Sequence, residues 1–179
     1  FDVISFYARH ALARNMQRTS VGHGAFVIGS RRGTSSHQYN PMLILAEKET
    51  PEDAGTCYGM SFVYSGGFKA EVEKDQFGQT RMQMGLQEEQ FSYPLKKGEE
   101  FVIPEVILTC SNQGLEKLSQ NLQRCIRKNL CRGKYKEKVR PVLINSWEAC
   151  YFDFTGEDIY HLAEQAKDLG IDMVVLDDG

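Results

Sequence analysis

Two short apolar runs near the end of the sequence each lead into side chains that could bind a ligand. Residues 141–145 precede Trp147, and residues 173–176 precede Asp177 and Asp178. In parallel α/β folds, ligands bind at the carboxyl ends of the strands. If the two runs are neighbouring strands, about 4.8 Å apart, an indole and two carboxylates share one edge of the sheet.

These three side chains suit a sugar. A pyranose has an apolar C–H face on which an indole can pack, and its hydroxyls can donate to ionised carboxylates. Two alternatives stay open, because the indole could pack in the core and the aspartates could form a solvated turn or a helix N-cap. Adjacent strand positions point to opposite faces, so both carboxylates reach one ligand only where the backbone bends, and Gly179 would permit that bend.

The residues between the two runs carry the signals of a helix. Thr155 followed by Asp158 is typical of an N-cap with an acidic partner, and Gly170 suits the C′ position. The order strand, helix, strand is the repeating unit of a parallel α/β fold, with strands buried on both faces. A single unit cannot close a barrel, so we infer a fragment of a longer enzyme. The helix positions expected to face inward are Ile159, Leu162, Ala166 and Leu169.

The first 110 residues have another pattern, in which apolar and polar residues alternate between clusters of Gly, Pro, Asn and Asp. This pattern predicts antiparallel strands, and six short strands in succession predict a β-sandwich. Segments 65–67 and 75–78 are predicted hairpin turns, because glycine tolerates the positive φ of tight turns. The predicted strands are 24–30, 42–47, 56–64, 68–75, 79–84 and 101–109.

A change to a helical period after residue 111 divides the chain. Leucine or isoleucine at 115, 118, 122, 126 and 130 predicts one amphipathic helix, which Gly133 ends. We therefore expect a β-rich part over residues 1–110, a linker helix and basic linker over 111–138, and the start of an α/β part over 139–179.

Composition and charge exclude several classes of protein. The 179 residues carry 21 Lys and Arg against 24 Asp and Glu, a near balance that gives no general case for nucleic-acid binding. Eight Lys or Arg lie between residues 124 and 140 and could attract an anion, but a solvated helix end and linker is the simpler interpretation. No apolar run approaches the roughly 18 residues of a membrane span.

Other sequence features favour no alternative chemistry. The 5 cysteines form no C-x-x-C pair, which predicts reduced thiols and favours a cytoplasmic location. The spacing of Gly24 and Gly29 fits a phosphate-binding loop, but Ser30 and Arg31 follow where Lys and Ser or Thr are required. Motifs of dinucleotide-binding proteins, zinc proteases and serine hydrolases do not occur.

Longer segments resemble a known family. Segments 145–154 (NSWEACYFDF) and 169–179 (LGIDMVVLDDG) are similar to the opening of the catalytic barrel in the α-galactosidases of glycoside hydrolase family 36. Segments 29–41 (GSRRGTSSHQYNP), 64–66 (YSG) and 81–85 (RMQMG) are similar to the N-terminal domain of that family. The resemblance covers essentially the whole chain.

The resemblance implies a large N-terminal β-supersandwich, a linker helix and a (β/α)₈ barrel, in a retaining hydrolase that is often a homotetramer. This chain would hold the later part of the supersandwich and the truncated start of the barrel. The nucleophile and the acid/base of the family would lie beyond Gly179, so this chain would contain no catalytic residue and would be inactive alone. Neither a metal nor an organic cofactor is implied, and neither nucleic acid nor a membrane is an expected partner.

The resemblance also assigns roles to single residues. Trp147 matches the tryptophan that lines the galactose pocket, and Asp177 and Asp178 resemble the pair that binds the galactose 4- and 6-hydroxyls. His10 falls where some members place a tryptophan that reaches the sugar site from the N-terminal domain. The expected activity of the whole protein is hydrolysis of terminal α-galactosyl residues from raffinose or melibiose. A raffinose-type galactosyltransferase, an α-N-acetylgalactosaminidase of the same fold and a non-catalytic carbohydrate-binding or assembly module stay open as alternatives.

Overall fold

The computed structural model describes residues 1–89 and 91–178 in two compact units, Phe1–Asn129 and Leu130–Gly179. In the first unit lie β1 (Asp2–Arg9), β2 (Leu12–Ser20), β3 (Gly24–Ser30), β4 (Tyr39–Ala46), β5 (Cys57–Phe62), β6 (Phe68–Lys74), β7 (Thr80–Leu86), β8 (Val106–Ser111) and α1 (Gly114–Cys125). A π-helical turn (Ile126–Leu130) follows, and then a 3₁₀ turn (Lys134–Lys136), β9 (Leu143–Asn145), α2 (Trp147–Cys150), α3 (Gly156–Lys167) and β10 (Met173–Val175). Within the described residues, no helix is long and apolar enough to cross a membrane.

The first unit is a sandwich of two antiparallel sheets. One sheet has the strand order β2-β1-β4-β5-β8, and the other has the order β3-β6-β7. Alternate side chains of both sheets point into a shared apolar core, as strand geometry requires. This core contains Val3, Leu43, Leu45 and Phe62 from the first sheet and Ile28, Phe68, Ala70 and Val72 from the second. The predicted β-sandwich is confirmed.

The hairpin of β1 and β2 was not among the predicted strands. β2 is an edge strand whose positions are exposed or only partly buried, so its sequence, LARNMQRTS, lacks the apolar alternation that marks a strand. β1 pairs with β2 on one side and with β4 on the other, which places Val3 and Ile4 in the interior.

One of the two predicted hairpin turns is wrong. Segment 65–67 joins β5 of the larger sheet to β6 of the smaller sheet, so it crosses between sheets, and neither of its glycines has a positive φ. Segment 75–78 does form the β6–β7 hairpin, with Gly78 at φ 83°. There the Asp75 carboxylate accepts hydrogen bonds from the N–H groups of Phe77 and Gln79, both at 2.9 Å.

The buried carboxylate of Asp2 links the start of β1 to neighbouring segments of the first unit. Asp2 accepts hydrogen bonds from the Ser20 hydroxyl (3.0 Å) and the Glu49 N–H (3.1 Å), and Arg18 lies 4.0 Å away. Burial alone would raise the pKa of Asp2, but these donors and the positive charge of Arg18 outweigh it, so the pKa lies below its usual value. Asp2 therefore stabilises the fold more in its ionised form than in its protonated form.

Helix α1 covers the other face of the larger sheet. Leu115 and Leu118 pack there against Ile4, Ile44 and Cys57. No side chain caps the first N–H groups of the helix. These groups instead donate hydrogen bonds to backbone carbonyls of the loop over residues 51–55. The predicted helix continues past Cys125 only as the π-helical turn, whose wider winding shifts the apolar face, and none of its residues is fully buried.

The second unit has the predicted strand, helix, strand order. β9 and β10 are parallel neighbours. The Thr155 side chain accepts from the Asp158 N–H, and the Asp158 carboxylate accepts from the Thr155 N–H at 2.7 Å, which completes a capping box at the start of α3. At the other end Gly170 has φ 75°, and the Ile171 N–H donates to the Ala166 carbonyl (3.2 Å), as the predicted C′ glycine requires.

The predicted burial of this unit is partly wrong. Leu169 was expected to face inward but is 78% exposed, and Leu143 on β9 is 48% exposed. β9 and β10 form a two-stranded sheet that contains no fully buried residue, so the predicted burial of these strands on both faces is wrong for the described residues. The domain limits at residues 110 and 138 stay predictions.

Candidate functional site

The strand ends of the second unit lie side by side. The register pairs Asn145 with Val175, and the Ser146 N–H donates to the Val175 carbonyl at 3.0 Å, one residue beyond β9. Parallel strands expose their carboxyl ends at the same edge, so the segments that follow Asn145 and Val175 start next to each other. This arrangement confirms the predicted pairing on which the candidate site depends.

Asp177 is held at this edge by three hydrogen bonds. Asn145 Nδ2 donates to Asp177 Oδ2 (2.9 Å), the Asp178 N–H donates to Asp177 Oδ1 (2.7 Å), and the Asp177 N–H donates to Ser146 Oγ (3.1 Å). The bond from Asn145, followed by that from Asp178, favours the ionised carboxylate and lowers the pKa of Asp177. An exposed, ionised carboxylate is therefore available to accept further hydrogen bonds from hydroxyl groups.

Trp147 lies two residues beyond the end of β9 and starts helix α2. Asn145 Oδ1 accepts the Trp147 N–H at 2.7 Å, a side-chain turn that ends the strand and directs the chain into α2. The Tyr151 N–H closes α2 by donating to the Trp147 carbonyl at 2.8 Å. Both main-chain polar groups of Trp147 are thus fixed.

The Trp147 indole is half-buried against two other rings. Its centroid lies 5.3 Å from that of Tyr151 and 4.9 Å from that of Phe152, both in edge-to-face orientation. Tyr151 has φ 50°, an uncommon conformation for an aromatic residue, at the point where the chain leaves α2. The Tyr151 hydroxyl donates to Glu148 Oε2 (3.2 Å), which raises the pKa of Tyr151.

Asp178 lies beyond the end of β10, in an irregular segment with an exposed side chain. Among the described residues, its carboxylate makes no hydrogen bond or ion pair, which distinguishes it from the carboxylate of Asp177. Strand alternation no longer applies here because β10 has already ended. The bend predicted at Gly179 lies outside the described residues.

His10 lies in the first unit, in the turn between β1 and β2. Its side chain is exposed, and its carbonyl accepts a hydrogen bond from Arg9 Nη1 at 3.2 Å. Ala11 beside it has φ 62°. The role of His10 in a sugar site stays a prediction.

The structure links two of the predicted site residues through a residue that sequence reasoning missed. Trp147 and Asp177 both bind the Asn145 carboxamide, and Asp178 adjoins Asp177. The missed residues are Asn145, Ser146, Tyr151 and Phe152. The available signal was an Asn at the end of a predicted strand, where its side chain can accept a backbone N–H two residues later. Within residues 1–89 and 91–178, no group of three or more His, Cys, Asp or Glu residues is placed to hold a metal ion.

Comparison with known proteins agrees with this architecture. Residues 1–96 match the glycosyl hydrolase family 36 N-terminal domain, and residues 100–179 match the melibiase family. The bifunctional alpha-galactosidase/sucrose kinase AgaSK of Mediterraneibacter gnavus is 64% identical over 179 residues, which are 100% of this chain and 19% of that protein. Alpha-galactosidase AgaA of Geobacillus stearothermophilus is 47% identical over 179 residues, 100% of this chain and 25% of AgaA.

Solved structures extend the similarity to the fold. The galactosidase domain of AgaSK has a TM-score of 0.92 at 64% identity and is matched by 100% of this chain over 25% of its own length. An AgaA variant in complex with raffinose has a TM-score of 0.93 at 44% identity, with 99% of this chain and 25% of that chain covered. The chain thus spans between 19% and 25% of the length of these relatives. It belongs to glycoside hydrolase family 36.

Proposed function

We propose that the whole protein is a retaining α-galactosidase that removes terminal α-galactosyl residues from oligosaccharides such as raffinose or melibiose. The observation that carries the proposal is the strand-end edge of the second unit, where Asn145 hydrogen-bonds both the Trp147 N–H and the Asp177 carboxylate. Membership of the family and the names of the relatives, which are alpha-galactosidases, support the same activity.

In this proposal the described edge binds the galactose and holds it in place. The Trp147 indole packs on the apolar face of the sugar, and Asp177 and Asp178 accept hydrogen bonds from its 4- and 6-hydroxyls. Galactose and glucose differ at the 4-hydroxyl, so a charged acceptor at that position selects galactose. A site that hydrogen-bonds a hydroxyl in one position disfavours ligands that place it elsewhere, because the hydrogen bond to the carboxylate is then lost.

The bond cleavage is assigned to two further aspartates on later barrel strands, outside this chain. In a retaining enzyme one carboxylate attacks the anomeric carbon and the other protonates the leaving oxygen, with the two carboxyl groups about 5–5.5 Å apart. Water then hydrolyses the glycosyl-enzyme intermediate with the second residue acting as a base. Asp177 and Asp178 bind hydroxyls in this scheme and take no part in the displacement.

The proposal is tested by incubating the full-length protein with raffinose. Release of galactose and sucrose, with α-galactose as the first anomer seen by proton NMR, is the expected result. A chromogenic β-galactoside is the matched control and should not be cleaved. Galactosyl transfer without net hydrolysis would favour the transferase alternative, and the absence of any reaction with α-galactosides would overturn the proposal.

We also propose that the whole protein forms a homotetramer in which His10 contributes to the sugar site. Exposed apolar side chains on both faces of the same β1–β2 hairpin support contacts there, since Tyr7 is 45%, Leu12 is 45% and Met16 is 54% exposed. Light scattering of the full-length protein should give four times the monomer mass, and His10→Ala should raise KM for an α-galactoside. A monomer with an unchanged KM in the variant would contradict both parts.

A further inference from the structure

The Asn145 carboxamide lies between two segments that are far apart in the sequence. Its Oδ1 accepts the backbone N–H of Trp147 at 2.7 Å, and its Nδ2 donates to Asp177 Oδ2 at 2.9 Å. The two bonds use opposite ends of one planar group. Because the separation of Oδ1 and Nδ2 within the amide is fixed, keeping both bonds restricts the position of the Trp147 N–H relative to the Asp177 carboxylate.

The backbone under Asn145 is itself immobilised. Asn145 pairs with Val175 in the parallel ladder, and the next residue, Ser146, is fully buried. Ser146 donates its N–H to the Val175 carbonyl (3.0 Å) and accepts the Asp177 N–H on its Oγ (3.1 Å). The backbone that carries the Asn145 side chain is therefore held in place, and the backbone of Asp177 is hydrogen-bonded to the neighbouring residue, Ser146.

We propose that Asn145 is a positioning residue that couples the Trp147 end of helix α2 to the Asp177 carboxylate, so that the two sugar-binding groups keep one geometry. The inference rests on the proposed function of this edge. Asn145 acts through its neighbours, since both polar ends of its side chain are already bound. It is therefore not a catalytic residue.

The coupling has a physical advantage for binding. An exposed carboxylate ordinarily rotates freely, and a ligand that binds it must stop that rotation at an entropic cost. Here Asn145 Nδ2 holds one oxygen of Asp177 and the Asp178 N–H holds the other, so the plane of the carboxylate is set before a sugar arrives. Each oxygen keeps a lone pair for a hydroxyl.

The kinetic test uses the full-length protein and a chromogenic α-galactoside. Asn145→Asp keeps the acceptor for the Trp147 N–H but places a carboxylate oxygen against Asp177 Oδ2, so kcat/KM should fall at least about 10-fold, mainly through KM. Gln165→Glu, an amide-to-carboxylate change at an exposed position of α3, is the matched control and should stay within about 2-fold.

A double-mutant cycle separates positioning from a merely structural role. Asn145→Ala should lower kcat/KM about 10-fold in the wild type but less than about 3-fold in the Asp177→Ala background, because the carboxylate that it positions is already lost. An equal loss in both backgrounds would overturn the proposal, and so would an unchanged kcat/KM in Asn145→Asp.

Amide hydrogen exchange tests the coupling between Asp177 and Trp147 without relying on enzyme activity. Asp177→Ala removes the acceptor of Asn145 Nδ2 and should speed amide exchange at Trp147 by about 3-fold or more, although the two residues are 30 positions apart. Unchanged exchange would overturn the coupling even if galactose is released from raffinose. If no galactose is released but exchange accelerates, the proposed function fails while the coupling stands.

Discussion

Trp147→Ala is the substitution that tests the proposed sugar site most directly. The change removes the indole, its edge-to-face contacts with Tyr151 and Phe152, and the proposed packing surface for galactose. It leaves the main-chain bonds of Trp147 to Asn145 and Tyr151 in place, because these use the N–H and carbonyl groups. We therefore expect a folded protein that binds galactosides weakly.

The size of the effect follows from two separate contributions. Loss of aromatic packing on a sugar face should cost on the order of 1–3 kcal/mol, by analogy with stacked bases, which is about a 5- to 150-fold loss in kcat/KM. The two ring contacts are worth about 0.5–1.5 kcal/mol each in well-packed pairs, and less here because Tyr151 is 52% and Phe152 is 68% exposed. The half-buried indole also loses its own apolar burial, so we expect some loss of stability beside the loss of binding, and both are measured on the same samples.

The assay is steady-state hydrolysis of a chromogenic α-galactoside by the full-length protein, with thermal melting of the same samples. Trp147→Phe should retain part of the binding because it keeps an apolar ring. Tyr160→Ala, on the exposed face of α3 with Tyr160 58% exposed, is the aromatic control and should leave kcat/KM unchanged. Unchanged kinetics in Trp147→Ala together with a large drop in melting temperature would refute the reasoning and identify the indole as a packing residue.

Four further predictions follow from other residues. Asp177→Asn and Asp178→Asn should each lower kcat/KM for galactosides and reduce the preference for galactose over glucose, and wild-type discrimination in both would contradict their assignment. Because the folded pKa of Asp2 lies below its ordinary value, the ionised carboxylate stabilises the fold above that ordinary value, and the stabilisation is lost as the pH falls through the folded pKa. Between pH 6 and 3 the melting temperature should therefore fall more steeply with decreasing pH in the wild type than in Asp2→Asn, and equal slopes would refute this. Thr155→Ala should destabilise the second unit by about 1 kcal/mol, seen as faster amide exchange at the start of α3, and unchanged exchange would show that the capping box is dispensable. The 179-residue chain alone should not cleave a chromogenic α-galactoside, and turnover comparable to that of the full-length protein would place the catalytic pair within it.

Local signals predicted the second unit well. The Thr155 capping box and the Gly170 C′ position each depend on residues within a few positions of one another, so the sequence pattern contains all the partners. Parallel pairing of β9 and β10 followed from the helix between them. The burial of single side chains was not predicted correctly. The exposure of Leu143 and Leu169 depends on what surrounds the strand or helix, and the pattern of the segment itself does not contain that information.

Non-local arrangement explains the errors in the first unit. The glycines of segment 65–67 indicate a turn, but whether a turn joins strands of one sheet or of two depends on pairings with β4 and β8 elsewhere in the chain. β2 was missed because an edge strand can be held by main-chain hydrogen bonds alone, which leave no trace in the side-chain pattern.

The contrast between local and non-local signals also applies to the candidate site. In our proposal, the residues that contact the sugar can be found from local sequence, whereas the residue that positions them cannot. Trp147 and Asp177 are visible in the sequence because an indole or a carboxylate after an apolar run is chemically conspicuous. Asn145 is not, because its function requires Asp177, 32 positions later, to lie 2.9 Å away. The hydrogen bond that orients this carboxylate also lowers its pKa, so Asp177 stays an ionised acceptor at pH values where an unassisted aspartate begins to protonate. The Asn145 amide and the Asp178 N–H together therefore supply the orientation and the charge state that the proposed hydroxyl-binding carboxylate needs.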